Sequence, residues 1–468
     1  MKRVFLNFIY QSLFQVLTMI LPLITIPIIS RALGAEGIGL WGYTNSIVNY
    51  FMLVAGLGMA SYAVREIAYV KNDKERLSEK FWELQLFNML FSSTVFSLFT
   101  AFVLVTNQHY LYLIQALIIL GVFFDISWLF QGVEDFKQLF LVRTIIKLLA
   151  VACIILFIHE SSDLWLYALI MSVSQLISAL ALWKKVFKYI DFKKVKFRTV
   201  WGHFRPALNF FLLKISATIF TNIGQTALGL TSTVVMVGYF TNSLQLIVLL
   251  GTIIGSLNQV MLSRMSILQK EGNEDKFIKT LQMTIHIQLF FTIALMFGII
   301  AMNEHLIGWF FGSDFYFVKK LIPILAPIIV FQQLHQGVAD QFLVPKNEIR
   351  FNNLTMIIAT TINVIVSLAF IPFFQVYGAI FGFLLGQIFL GVSRSFGLVK
   401  MSTFQFEWVK ILKWLLSGIV MLIIIRSTTN NMPVAIITTL SQGIIGLIVY
   451  MSLTWLLNAN PLSSLIKE

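Results

Sequence analysis

The chain has 468 residues, of which 58% are hydrophobic and 12% charged, with 34 Lys and Arg against 21 Asp and Glu and a formal net charge of +13. So apolar a composition exceeds what a water-soluble core of this length needs, and a multi-span membrane protein is the expected class. The positive charge is dealt out loop by loop rather than along one face, which excludes nucleic acid as a partner. The single cysteine, Cys153, lies in an apolar stretch, which excludes an internal disulfide and a thiolate metal cage.

Runs of roughly 18 or more apolar residues predict about fourteen spans, near 8–29, 40–64, 84–106, 111–133, 141–158, 164–183, 207–230, 234–260, 283–302, 321–344, 354–374, 376–399, 409–425 and 432–457. With the amino terminus inside, the inner connections carry 29 of the 34 Lys and Arg, eight of them in 184–205. That bias places both termini in the cytoplasm. Lys2 and Arg3 precede an apolar run longer than a signal-peptide core, so the first span is read as retained. The outer connections at 30–39, 107–110, 159–163, 231–233, 303–320 and 426–431 are short, leaving no room for an external catalytic domain. Neither a G-x-x-x-x-G-K-[ST] phosphate loop nor a DxD triplet occurs, so energy is expected from ion or lipid gradients rather than ATP, with no catalytic residues, no cofactor and no metal.

In chain order, the first span places Asn7, Gln11, Thr18 and Thr25 on one helical face around Pro22. Arg31 and Glu36 follow at the outer mouth as a candidate gate or a solvated pair. The stretch GYTNS at 42–46 in the second span recurs as GYFTNS at 238–243 in the eighth, each followed by a cytoplasmic arginine, Arg65 or Arg264. The offset of six spans preserves orientation, which predicts parallel repeats related by an axis along the membrane normal. The organisation read from this is a first lobe at 1–183, a basic linker at 184–205, a second lobe at 206–399 and an appended pair of spans at 400–468.

The fourth span carries Asp125 and leads to Glu134, candidates for an ion-coupling site or a charge network. Arg143 and Lys147 sit four apart on one face of the fifth span, as headgroup-binding cations or interfacial anchors. The linker interleaves its basic residues with Phe187, Phe192, Phe197 and Trp201, in the manner of a segment lying on an anionic leaflet. The seventh span lines up Lys214, Thr218, Thr221 and Gln225, with Ile215, Ile219 and Ile223 pointing away; the eighth does the same with Gln245, Thr252, Ser256 and Gln259. Hydroxyls in membrane helices commonly serve packing, and Lys214 lies near enough to the inner boundary to snorkel. A mid-helix lysine nevertheless costs about 2.5–3.5 kcal/mol, which favours a cavity. Asp340, His335 and Arg394 lie in or near spans ten and twelve and are read only as possible cavity lining.

The string DISWLFQGVEDFK at 125–137 resembles the motif of oligosaccharide flippases in the polysaccharide-transport branch of the multidrug/oligosaccharidyl-lipid/polysaccharide (MOP) superfamily, the Wzx-like proteins. IPIISRALGAEGIGLWGYTNSIVNYFMLVAGLGMASYAVREIA at 26–68, QFLVPKNEIRFNN at 341–353 and NVIVSLAFIPFFQVYGAIFGFLLGQ at 363–387 are similar to the same family. The resemblance implies an all-α membrane protein, two six-helix lobes around a cationic cavity and a helix pair after them. It also implies a substrate, an undecaprenyl-diphosphate-linked oligosaccharide that is moved from the inner to the outer leaflet of the bacterial cytoplasmic membrane by alternating access. Coupling to a proton or sodium ion, and a complex with a polymerase or glycosyltransferases, are further expectations. Two phosphates and many hydroxyls crossing hydrocarbon need cations and hydrogen-bonding groups, which Lys214 and the polar stripes supply. A lipid II flippase remains the alternative, and a drug or cation antiporter fits less well because the first two spans hold no acid before Glu36.

The charge bias generates a topology test. Reporters fused after Thr106, Glu160 and Asn430 are expected to read external, and those after Lys74, Lys194 and Asn273 internal; a cytoplasmic reading at Asn430 removes the last pair of spans.

Overall fold

The computed structural model describes residues 2–106, 109–195 and 197–462, and their side chains except those of 2–9, 11, 12, 109, 198, 212, 213 and 259. Among the described residues there is no strand. The chain divides into two compact units, Met1–Thr226 and Ala227–Glu468. The boundary falls inside a helix rather than in the basic linker.

The first unit contains α1 (Lys2–Gly56), α2 (Met59–Val70), α3 (Lys74–Leu104), α4 (His109–Phe124), α5 (Ser127–Gly132), α6 (Phe136–Phe157), α7 (Leu164–Val186), α8 (Phe197–Trp201) and most of α9 (Phe204–Thr231). The second contains α10 (Val234–Glu271), α11 (Glu274–Phe310), α12 (Val318–Leu325), α13 (Pro327–Val338), a π-helical turn at Ala339–Leu343, α14 (Ile349–Phe374), α15 (Val376–Met401), α16 (Trp408–Thr429) and α17 (Ile436–Leu456).

Eleven helices among the described residues are long and apolar enough to cross a membrane, or up to twelve if the bent pair Thr199–Phe211 and Lys214–Thr231 is one span. The first of them, Leu13–Val70, has 58 residues. At 1.5 Å per residue that is about 87 Å, nearly three hydrocarbon thicknesses, so it holds more than one crossing. It turns at Gly34, whose φ of 64° is open to glycine at little cost. Tyr110–Phe124 is apolar but shorter than the rest. Fourteen crossings are reached only by counting both arms of the first helix, the bent pair and this short helix.

Local chemistry explains the joints. Asp73 caps α3 by accepting from the backbone N–H groups of Glu75 and Arg76. The basic linker is tied to that end of the helix: Lys74 pairs with Asp191 at 2.9 Å and Lys193 pairs with Glu75. Phe187, Phe192, Phe197 and Trp201 stay exposed, as an interfacial segment requires. In the second unit Gly378 and Gly382 let α15 meet α14 backbone to backbone; a Cβ on Gly378 would sit 2.5 Å from the Ile371 nitrogen. The pair α16 and α17 packs on α11, where Trp414 and Tyr450 are fully buried and the Tyr450 hydroxyl donates to the Phe290 carbonyl at 3.0 Å. Each copy of the repeated string makes the same local bond. Ser46 Oγ donates to the Tyr43 carbonyl at 2.7 Å, and Ser243 Oγ to that of Tyr239 at 2.6 Å.

Gly58 and Gly272 share a φ of +71°, but a Cβ on Gly58 would lie 2.6 Å from the Ala207 oxygen and the Phe211 nitrogen of α9, whereas nothing lies within 4 Å of one on Gly272. Gly272→Ala is therefore expected to cost only the roughly 1 kcal/mol of a side chain at positive φ. Gly58→Ala must also push α2 and α9 apart, and should lower the thermal midpoint of the detergent-purified protein several times further. Equal midpoints would show that the two helices yield freely there.

Candidate functional site

The fourth predicted span is not one helix. It breaks at Asp125 and Ile126, between the end of α4 at Phe124 and the start of α5 at Ser127. A helix that stops inside hydrocarbon leaves carbonyls with no water to bond, so each needs a protein donor. Asn88 Nδ2 donates to the Val122 oxygen at 2.8 Å, Gln85 Nε2 to that of Phe123 at 3.0 Å and Trp183 Nε1 to that of Phe124 at 2.8 Å. Trp128 Nε1 turns back to the Asp125 carbonyl at 3.0 Å. The Asp125 carboxylate holds the start of α5, accepting from the Ser127 N–H at 2.9 Å and the Ser127 hydroxyl at 3.1 Å. The DISW string is thus the hardware of a broken helix: an acid to cap, a small hydroxyl to be capped, and an indole to close the gap.

A cavity of about 480 Å³ opens beside this break, its wall including Asp125, Asn88, Asn49, Lys214, Thr218 and Thr221. The α9 residues reach it because that helix bends by 55° between Thr199–Phe211 and Lys214–Thr231. Polar bonds hold the upper arm to α1. Asn49 Nδ2 donates to Asn222 Oδ1 at 3.0 Å, and Ser46 and Thr226 share a hydroxyl bond of 2.8 Å. Asn222 in turn donates to the Thr218 carbonyl at 2.8 Å. Lys214 is exposed to the cavity and has no carboxylate oxygen within 4 Å among the described residues, although Asp125 lines the same space. The cavity thus offers one uncompensated cation next to carboxamide and carboxylate oxygens. It suits an anion carrying hydroxyl or amide donors.

Of the residues singled out in the sequence, Lys214, Thr218, Thr221 and Asp125 come together here. Arg143 does not; it lines a separate cavity of about 210 Å³ with Tyr10, Phe14, Gln131 and Phe140. Lys147 is half-buried in the same helix. Glu134, at a φ of 61°, pairs with Lys71 at 2.6 Å, and among the described residues no ion pair joins it to Arg143 or Lys147. Thr18 spends its hydroxyl on the Gln15 carbonyl at 2.7 Å. Gln11, Asn7 and Gln259 lie outside the described side chains. Gln225 is half-buried on α9, and Gln245 is exposed in the second unit. Arg31 and Glu36 are exposed and do not pair within 4 Å.

In the second unit Arg394 is 5% exposed and donates to Thr355 Oγ1 at 3.2 Å, His335 Nδ1 at 3.1 Å and the Asn352 carbonyl at 3.2 Å. Since Nδ1 of His335 accepts, its Nε2 carries the proton given to Gln387 Oε1 at 2.8 Å. Asp340 is half-buried in the π-helical turn. Among the described residues no group of His, Cys, Asp and Glu could hold a metal ion. Sequence reading missed Asn49, Asn88 and Asn222, whose rarity as carboxamides in apolar spans was the available signal.

A family model described as "Polysaccharide biosynthesis protein" matches residues 4–269. A protein of Escherichia coli (strain K12) assigned as an O-antigen transporter is 26% identical over 185 residues, 37% of this chain and 43% of its own length. The match therefore spans less than half of that relative. A structure titled lipid II flippase MurJ, inward closed conformation, is similar at a TM-score of 0.70 and 18% identity, covering 97% of this chain and 98% of the other. An inward-facing multidrug resistance MATE family transporter of the MOP superfamily is similar at 0.63 and 16%, covering 81% and 93%. These structural likenesses concern the fold.

The capping bonds generate a test at Asp125. Asp125→Asn keeps an acceptor oxygen for the Ser127 N–H and is expected to stay near the parent midpoint. Asp125→Ala leaves Ser127 uncapped beside a buried break and should cost about 1–2 kcal/mol, read as a lower thermal midpoint and lower membrane abundance. Equal stability of the two variants would deny the carboxylate its structural role.

Proposed function

The chain belongs to the polysaccharide biosynthesis protein family, and on that premise we propose that it is a flippase of the MOP superfamily that moves a polyprenyl-diphosphate-linked oligosaccharide from the inner to the outer leaflet of a bacterial cytoplasmic membrane. The carrier on this reading is undecaprenyl diphosphate. The observation that carries the proposal is Lys214, an unpaired cation in a polar cavity inside an apolar bundle. A diphosphate can meet that ammonium as a point charge, while Asn49, Asn88 and Asp125 offer oxygens to the hydroxyls of the first sugar. A cationic drug would be repelled by the same group, which argues against an antiporter of similar fold. A lipid II flippase shares the carrier; the family match and the DISW string favour the polysaccharide branch.

Both termini lie in the cytoplasm on this reading, and the lobes 1–183 and 206–399 alternate access about the substrate, with a proton or sodium gradient as the energy source. Asp125 is the acid nearest to that path.

Reconstituted vesicles carrying a short polyprenyl diphosphate linked to one N-acetylhexosamine provide the assay. Lys214→Ala is expected to cut flipping at least tenfold at equal protein level, and Lys214→Arg to retain part of it, because charge is kept while geometry changes. Full activity of the alanine variant would reduce Lys214 to a snorkelling anchor.

A further inference from the structure

We propose that the groove between α1, α5 and α6 is a binding site for one anionic phospholipid, whose phosphate sits on Arg143 and whose acyl chain runs past Phe14 and Phe140. The inference goes beyond the proposed transport reaction and does not depend on it.

The first observation is the company Arg143 keeps. Of the 22 residues of α6, only Leu139 and Ile154 are buried, while Leu141, Ile145, Leu148 and Leu149 are exposed. An apolar exposed face on a membrane-spanning helix is a lipid contact. Arg143 lies within that stretch, half-buried, and among the described residues it makes no hydrogen bond, ion pair or ring contact. Five N–H donors left idle beside hydrocarbon are costly unless something polar meets them. The nearby acids cannot, because Glu134 is paired with Lys71, and Asp135 accepts from the Tyr189 hydroxyl and from the Gln138 N–H at the start of α6.

The second observation is the cavity itself. Snorkelling to water would satisfy Arg143 with no cavity at all. Instead a groove of about 210 Å³ adjoins the guanidinium, with Tyr10 and Phe140 in ring contact at 5.5 Å. That volume lies below the roughly 300–1,000 Å³ of pockets that enclose drug-sized ligands, so it takes a headgroup phosphate and a short length of chain with the rest of the lipid left in the bilayer. Gln131 adds an amide at its rim. The Lys and Arg distribution puts this end of α6 at the cytoplasmic interface, where basic pockets between helices bind anionic headgroups. A guanidinium matches a phosphodiester through two parallel N–H bonds. With Lys147 four residues on and neither charge in an ion pair among the described residues, an anionic lipid is preferred to a zwitterionic one.

The test uses the full chain, delipidated in detergent, with phosphatidylglycerol or phosphatidylcholine added and retained lipid counted by native mass spectrometry. The parent protein is expected to hold one phosphatidylglycerol and not phosphatidylcholine. Arg143→Gln should weaken that binding about tenfold, as expected for loss of a charge-assisted bond, at an unchanged thermal midpoint. Arg143→Lys should fall between the two, and it decides the matter if the glutamine variant misfolds. Parent-like retention of phosphatidylglycerol by Arg143→Lys and by Arg143→Gln overturns the proposal. So does equal retention of the two lipids by the parent, or displacement of phosphatidylglycerol by equimolar undecaprenyl phosphate.

Discussion

A backbone carbonyl in hydrocarbon must find a donor, and the arrangement of the first unit follows from where that demand is met. The chain breaks between α4 and α5, so the last carbonyls of α4 lose their i+4 partners, Val122 keeping only the Asp125 N–H at 3.2 Å, and three side chains answer them: Asn88 and Gln85 on α3, and Trp183 on α7. Each unsatisfied group would cost several kcal/mol in lipid. The break therefore pins α3 and α7 to the end of α4 as firmly as apolar packing does, and it does so with directional bonds. Phe81, Trp128 and Trp183 then close over the joint, with Phe81 and Trp128 centroids 5.3 Å apart.

The same bonds shape the cavity. A continuous helix would keep its carbonyls to itself and present only side chains; the broken one places Asp125 on a space that Asn88 of α3 also lines. Asn88 spends its amide nitrogen on Val122 and is held buried at the cavity wall by that bond. Asp125 likewise spends its carboxylate on Ser127. The acceptors of the site are thus held in place by structural duties, and the single mobile donor is Lys214. Such a division, rigid oxygens and one flexible cation, suits a ligand whose phosphate can be found by a long side chain while its hydroxyls dock on a fixed wall.

How much of this the sequence disclosed depends on period and on partners. Apolar runs located the helices, because hydrophobic burial in lipid is a one-dimensional property of the chain. The stripe of Lys214, Thr218 and Thr221 was legible for the same reason, since helical spacing is known in advance. What the runs could not disclose was the break at Asp125: the span 111–133 reads as one predominantly apolar run with a single acid in it, and the groups that tolerate the break, Asn88, Gln85 and Trp183, are distant in sequence. The bend in α9 was hidden in the same way, because the close approach beside it joins Gly58 to Ala207 and Phe211, which are distant in sequence. Grouping Arg143 and Glu134 with the site assumed that neighbours in the chain share a partner, whereas Glu134 turns at positive φ to meet Lys71.

Two cations of the spans, Arg394 and Lys214, illustrate why position alone does not make a site. Arg394 is the more deeply placed, yet its donors are answered by a histidine nitrogen, a hydroxyl and two backbone carbonyls, all neutral. A charge so solvated by fixed dipoles joins α13, α14 and α15 and has little left for a ligand. Lys214 is the converse. It is exposed, has no ion pair among the described residues and is carried on the arm of a bent helix, so no fixed protein group answers its charge. The difference in availability, rather than in depth, is why the proposed function rests on Lys214 and not on Arg394.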